Sequence, residues 1–199
     1  MTLPDFESAK QYALERLERE LPENLYYHSL GHTRDDVSPA VERLAEGEGI
    51  QGEALLLLRT AAYFHDIGFI VQYNDHESAS VRIAQEALPH FGYNEEQIEI
   101  ISSMIMATKL PQSPRNLLEE ILADADLDNL GREDFDERSH LLRAELETIG
   151  ITSSDEDWYN RQLEFIQHHT YFTDAARRLR DALKQQNIKA LIEGHDRHE

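Results

Sequence analysis

Apolar residues recur along this chain at helical intervals almost from end to end, and they almost never alternate. Spacings of three and four put side chains on one helix face, whereas a half-buried strand needs a period of two. Phe6, Ala9, Ala13, Leu14 and Leu17 follow Pro4 at helical spacing, and Leu21-Pro22 ends that segment. Val37, Val41 and Leu44 stripe a second helix expected over 30–45, broken at Gly47-Glu48-Gly49. Residues 51–66 read as a largely buried helix that stops near Gly68. Asp75 is placed to cap a helix running to Leu88, and Asn94 with Gln97 forms a capping-box pattern for another reaching Thr108. Ser113-Pro114 reads as the N-cap and first-turn proline of a helix to Leu130, closed by Gly131. Helices over 132–149, 154–169 and 173–193 complete the set. Phe69 to Tyr73 is the one strand-like stretch, and a lone strand is not stable. The expected fold is an all-α bundle of about eight or nine helices. No repeat, low-complexity tract or linker interrupts it, so a single domain over 1–199 is expected.

Charge and composition narrow the function. Nineteen Lys and Arg face 39 Asp and Glu, for a net charge of −20. Such a chain repels phosphate backbones and anionic membranes at long range, so neither nucleic acid nor membrane is an expected partner. The longest aliphatic run, Ala54 to Leu58, is far short of the ~20 residues of a spanning helix. The N-terminus MTLPDFESAK lacks a basic region followed by an apolar run, so a cytoplasmic location is expected. The absence of cysteine excludes disulfides, thiolate ligands and a thiol nucleophile.

Among ten histidines, a few stand where chemistry is expected. His28 and His32 are four apart and would share a helix face. His65-Asp66 and His195-Asp196 are both His-Asp doublets, about what chance supplies, so context must separate them. His195-Asp196 lies in a polar tail and reads as solvated, whereas His65-Asp66 closes the least polar stretch of the chain. An ionised Asp there is costly to bury unless it is paired or binds a metal. Asp124, Asp126 and Asp128 alternate in the apolar run Leu122 to Leu130. Asp126 sits on its apolar stripe, with Asp124 a rival for the inward position. Carboxylates so close repel unless a cation lies among them. His32, His65, Asp66 and Asp126 together supply two imidazoles and two carboxylates. That set suits a divalent ion such as Mn, Fe, Co, Ni or Zn, and Mg less well.

The order of these groups resembles the HD superfamily of metal-dependent phosphohydrolases. The matching segments are Tyr27-His28-Ser29-Leu30-Gly31-His32-Thr33, Ala62-Tyr63-Phe64-His65-Asp66-Ile67-Gly68 and Asp124-Ala125-Asp126-Leu127. The resemblance implies an HD-domain-like helical bundle with His32, His65, Asp66 and Asp126 as metal ligands, and it prefers Asp126 over Asp124. It implies hydrolysis of a phosphate ester, with a nucleotide or other small phosphorylated metabolite as substrate. Asp66 would also hold the attacking water, His28 would protonate the leaving oxygen, and Glu77 would orient water or ligand. No Gly-Tyr-Pro segment follows, so cyclic-di-GMP hydrolysis is not supported. Where two-metal relatives carry further histidines, this chain offers His76 and His90, so a mononuclear site is expected.

An acidic protein needs local positive charge to hold an anionic substrate. Lys109 and Arg34 are the expected contacts, ahead of Arg82 and Arg115; Arg34, two residues from His32, has the weaker geometry. A homodimer is the candidate assembly. Two other readings compete: an HD-fold di-iron oxygenase, which needs additional ligands, and a non-catalytic ligand-binding HD module. Trp158, Tyr159, Phe165, Tyr171 and Phe172 read as core, and His168-His169 as a helix-end cation pair.

Overall fold

The helix α3 (Gly52–Phe64) is the hub around which the other helices pack. Its sequence carries the run Leu55 to Leu58, and it buries Leu57, Leu58, Ala61, Ala62 and Phe64 on nearly every side. A helix apolar all round belongs in a core. The computed structural model describes residues 4–195. His195-Asp196 therefore falls outside the described side chains. No strand occurs among the described residues, and nine α-helices do, as the apolar spacing predicts.

Four helices enclose α3: α1 (Phe6–Glu20), α2 (Ser38–Gly47), α5 (Glu95–Ala107) and α6 (Leu117–Asp126). Asp5 caps α1 by accepting from the Ser8 N–H at 3.1 Å, and Ala9, Ala13 and Leu17 form its buried stripe. The capping box on α5 forms as expected, with Asn94 and Gln97 bonded reciprocally at 2.9 Å. Beyond lie α4 (His76–Ala87), α7 (Phe135–Thr148), α8 (Asp155–His168) and α9 (Asp174–His195).

Several local expectations need correction. The strand-like stretch at 69–73 is instead a 3₁₀ turn, Ile67–Ile70, followed by an irregular connection to α4. Gly68 makes this possible: a Cβ there would lie 2.0 Å from the His76 carbonyl oxygen, so only glycine lets the turn lie on α4. Asp75 stands at the N-cap of α4 but with φ of 57° and no capping bond; its carboxylate pairs with Lys109 instead. α6 starts three residues later than Pro114 because Asn116 caps it, accepting from the N–H groups of Leu118 and Glu119 at 3.1 Å. His28 lies in the loop ahead of the helix that begins at Leu30, so it and His32 do not share a helix face. His32–Val37 is a π-helical stretch leading directly into α2. Short π segments recur at functional sites.

Candidate metal centre

His32, His65, Asp66 and Asp126 converge, each offering one ligand atom within 4.8 Å of every other. Three chain regions supply them: the π-helical stretch, the end of α3, and the last turn of α6. His32 Nε2 lies 3.1 Å from Asp126 Oδ1 and 3.6 Å from Asp66 Oδ2. His65 Nε2 lies 3.2 Å from Asp66 Oδ2 and 3.5 Å from Asp126 Oδ1. Adjacent ligand atoms around an ion bound at about 2.1 Å stand roughly 3 Å or a little more apart, which these spacings match.

The donor chemistry also fits a cation. His65 Nδ1 bonds the Ala62 carbonyl at 2.8 Å, which fixes its proton there and leaves Nε2 as a lone-pair donor. His65 Nε2 and Asp66 Oδ2 are both buried and make no hydrogen bond among the described residues. Buried polar atoms are seldom left so, and two facing one another call for a shared ion. Without one, burial drives the His65 imidazole toward neutrality, but Asp66 and Asp126 outweigh burial and hold its pKa well above the ordinary value. Burial raises the Asp126 carboxyl, yet its bond with His32 and the nearby His65 imidazole dominate and bring it to about 2. These are groups waiting for a positive charge to settle among them.

The three alternating carboxylates at and just beyond the end of α6 have three different occupations: Asp124 and Asp128 are buried, and Asp126 looks onto the cleft. Asp124 accepts at 2.8 Å from the N–H groups of Phe172 and Thr173 and from the Thr173 hydroxyl, pinning the start of α9. Asp128 takes Arg180 Nε and Nη2 at 2.6 and 2.7 Å, fastening α9 from the other side. Asp126 alone of the three joins the cluster.

The cluster of four opens on a cleft of about 500 Å³, lined by Asp66, Asp126, His28, His76, Glu77 and Lys109, with an apolar wall from α7 and α8. His28 is held there by a residue that sequence reasoning passed over. Glu145 of α7 is fully buried and accepts from His28 Nδ1 at 2.5 Å. Burial pushes its carboxyl up, but that bond and the N–H groups of Tyr27 and His28 hold it below the usual range. Phe69 is sandwiched between the rings of His28 and His76, at 4.4 and 3.8 Å. His76 Nε2 is 3.3 Å from Asp66 Oδ1.

Other expected residues fall elsewhere. Arg34 is exposed, bonds Asp35 and does not line the cleft, because its position on the π turn points it to solvent. Arg82 and Arg115 do not line it either; they contact Gln72 and Glu119. His90 is exposed on the 3₁₀ turn Leu88–Phe91, outside the cleft lining, so of the two expected further histidines His76 is the one beside the cluster. Phe165, read as core, is 36% exposed and lines the cleft wall. His169 is not a helix-end cation: burial, aided by Lys184, lowers its pKa to about 4.

Residues 26–128, just over half of the chain, match the HD domain family. An uncharacterized protein of Clostridium beijerinckii is 39% identical over 83 residues, covering 40% of this chain and 51% of that protein. The match thus spans about half the length of that curated relative. A predicted HD superfamily hydrolase from an uncultured Thermotogales bacterium superposes with a TM-score of 0.62 at 19% identity, over 98% of this chain and 91% of that one. A Lactobacillus plantarum protein gives 0.70 at 17%, over 98% and 94%. Bacillus subtilis YpgQ in complex with ADP gives 0.66 at 21%, over 96% and 94%. At such identities the likeness establishes the fold.

Proposed function

Since the chain belongs to the HD domain family, we propose that it is a metal-dependent phosphohydrolase acting on a nucleotide or other small phosphorylated metabolite. The observation that carries this reading is the pair of orphaned buried atoms, His65 Nε2 and Asp66 Oδ2, facing His32 and Asp126 at the floor of a cleft. A cleft of about 500 Å³ has the size of a small-molecule site. YpgQ, which shares the fold, is a protein seen with ADP, and that supports a nucleotide among the candidates. The net charge of −20 argues for a small substrate over nucleic acid. Among the described residues no helix is long and apolar enough to cross a membrane.

His32, His65, Asp66 and Asp126 would hold the ion. When bound, a divalent ion lowers the pKa of its water and offers positive charge to phosphoryl oxygens. The chain's own side chains do the rest. Glu145 fixes His28 through Nδ1, so the other ring nitrogen is the one left to hand a proton to the departing oxygen. Asp66 presents its second oxygen toward His76, on the cleft side, where a water would be oriented. Glu77 is buried next to His76 and helps to hold that water. Lys109, at the rim, can exchange its Asp75 partner for a substrate oxygen.

The test is metal analysis of the purified protein with a hydrolysis screen of nucleotides, cyclic nucleotides and phosphomonoesters. About one divalent ion per chain and turnover of at least one class are expected. Asp66→Ala should lose both ion and turnover. Full turnover by that variant would defeat the assignment.

A further inference from the structure

Three basic side chains other than histidine line the cleft: Lys109, Arg138 and Arg161. Two of them are committed to acids. Lys109 pairs with Asp75. Arg138 Nη2 lies 2.8 Å from Asp36 Oδ2, and its Nε lies 3.2 Å from Asp134 Oδ2. Arg161 has no ion-pair partner among the described residues, although acids outnumber bases by 39 to 19 in the chain.

Its setting is built. On α8, Trp158, Arg161, Gln162 and Phe165 fall at the spacing of one helix face, and all four line the cleft. The face is anchored to α7: Trp158 Nε1 donates to Ser139 Oγ at 3.2 Å, and Ser139 Oγ donates to Gln162 Oε1 at 3.1 Å. Arg161 and Phe165 also line a second concavity of about 630 Å³, which Asp66 and Asp126 do not reach. Arg161 thus stands where the cleft passes into its neighbour, with an apolar wall on its cleft side. A substrate carrying only one phosphate, bound at the metal cluster, would leave this guanidinium without a partner.

We propose that Arg161 is a specificity-determining residue that binds a second anionic group, phosphate or carboxylate, carried by the substrate beyond the phosphate that is cleaved. The cleaved end rests on the phosphohydrolase reading above; the binding of the second group does not. The planar fork of arginine suits either oxyanion, and the apolar α8 face beneath it takes the body that joins the two charged ends.

The test compares wild type with Arg161→Gln and Arg161→Lys on paired probes: phenyl phosphate against its para-carboxylate derivative, and a nucleoside monophosphate against the matching bisphosphate. Arg161 is exposed, so its substitution should leave the fold intact. Arg161→Gln should raise KM about tenfold or more for the probes with two anionic groups, with kcat little changed and phenyl phosphate affected less than about twofold. Arg161→Lys should restore part of the loss. The pair that responds tells phosphate from carboxylate. Binding is read independently of turnover by quenching of Trp158, the chain's single tryptophan. If no probe is hydrolysed but the two-anion probes still bind more tightly and lose that margin in Arg161→Gln, the phosphohydrolase reading fails and the Arg161 assignment stands. Equal KM and binding changes across both members of each pair, or none, would overturn it.

Discussion

Glu145 and His28 lie 117 residues apart in sequence, yet His28 Nδ1 meets the Glu145 carboxylate at 2.5 Å. The second Glu145 oxygen accepts from the N–H groups of Tyr27 and His28 at 2.8 and 3.0 Å, so one buried acid fixes both the ring and the backbone that carries it. Tyr73 adds its hydroxyl at 3.0 Å.

If His28 donates the proton as proposed, Glu145 is its positioning residue, and leaving-group chemistry tests this. Glu145→Gln should lower kcat about tenfold or more on an alkyl phosphate, whose departing oxygen needs a proton. On p-nitrophenyl phosphate, whose leaving group needs none, the fall should be much smaller. Metal content should stay at the wild-type level, because Glu145 is not among the four converging ligands. Equal losses on both substrates would mean that Glu145 serves the fold alone.

Metal affinity should depend on pH. His65 must be neutral to bind an ion, and in the metal-free protein Asp66 and Asp126 hold its pKa well above the ordinary value. Binding therefore expels a proton. Apparent affinity should rise about tenfold per pH unit for one displaced proton, and level off once the pH passes the raised His65 pKa. Calorimetric titration in buffers of different ionisation enthalpy would register the released proton. An affinity flat between about pH 6 and 8 would contradict the coupling.

How far the site could be read in advance depends on how local each signal is. The capping box at Asn94 and Gln97 is complete within four residues, so it was visible in the sequence and formed. His65, Asp66 and Asp126 stood out because they sit inside apolar runs, where an unpaired charge is costly, whereas His32 joined them through the resemblance to the HD pattern. Glu145 carried a similar but fainter signal: it falls three residues after Leu142 and four after Leu141, on the apolar side of a charged helix. Nothing local revealed its partner, since the contact closes only when α7 folds against the loop holding His28. Arg161 was equally silent, because the feature that marks it is a missing partner, and partners are set by packing. His169 misled for the opposite reason. A histidine at a helix end looks like a cation until Tyr171, 4.6 Å from its ring, is seen to help exclude water.

Gly68 should tolerate no side chain. The Cβ of an alanine would stand 2.0 Å from the His76 carbonyl oxygen and 2.7 Å from the Ser80 N–H nitrogen, and neither backbone atom can yield locally. The turn Ile67–Ile70 and α4 would have to separate, breaking the 2.8 Å bond from the Gly68 N–H to Ser80 Oγ and drawing His76 from Asp66. Gly68→Ala should cost about 2 kcal/mol or more in chemical denaturation. A variant as stable as wild type would show that α4 has freedom its packing denies.

Asp124 and Asp126 are separated by one residue, and their substitutions should fail in opposite ways. Asparagine at 124 would replace one of two accepting oxygens with an NH₂ group, against the three donors of Phe172 and Thr173. Asp124→Asn should therefore lose about 1–3 kcal/mol of stability, by loosening the start of α9, while keeping its full metal content. Asp126→Asn removes a charge from the cluster that His32 and His65 face at 3.1 and 3.5 Å. In the metal-free state that variant should fold, and it should retain at least tenfold less metal after dialysis against a chelator. Elemental analysis and thermal melting of both variants, side by side, separate the two roles. If Asp124→Asn lost the ion and Asp126→Asn kept it, the two carboxylates would have to exchange places in this account.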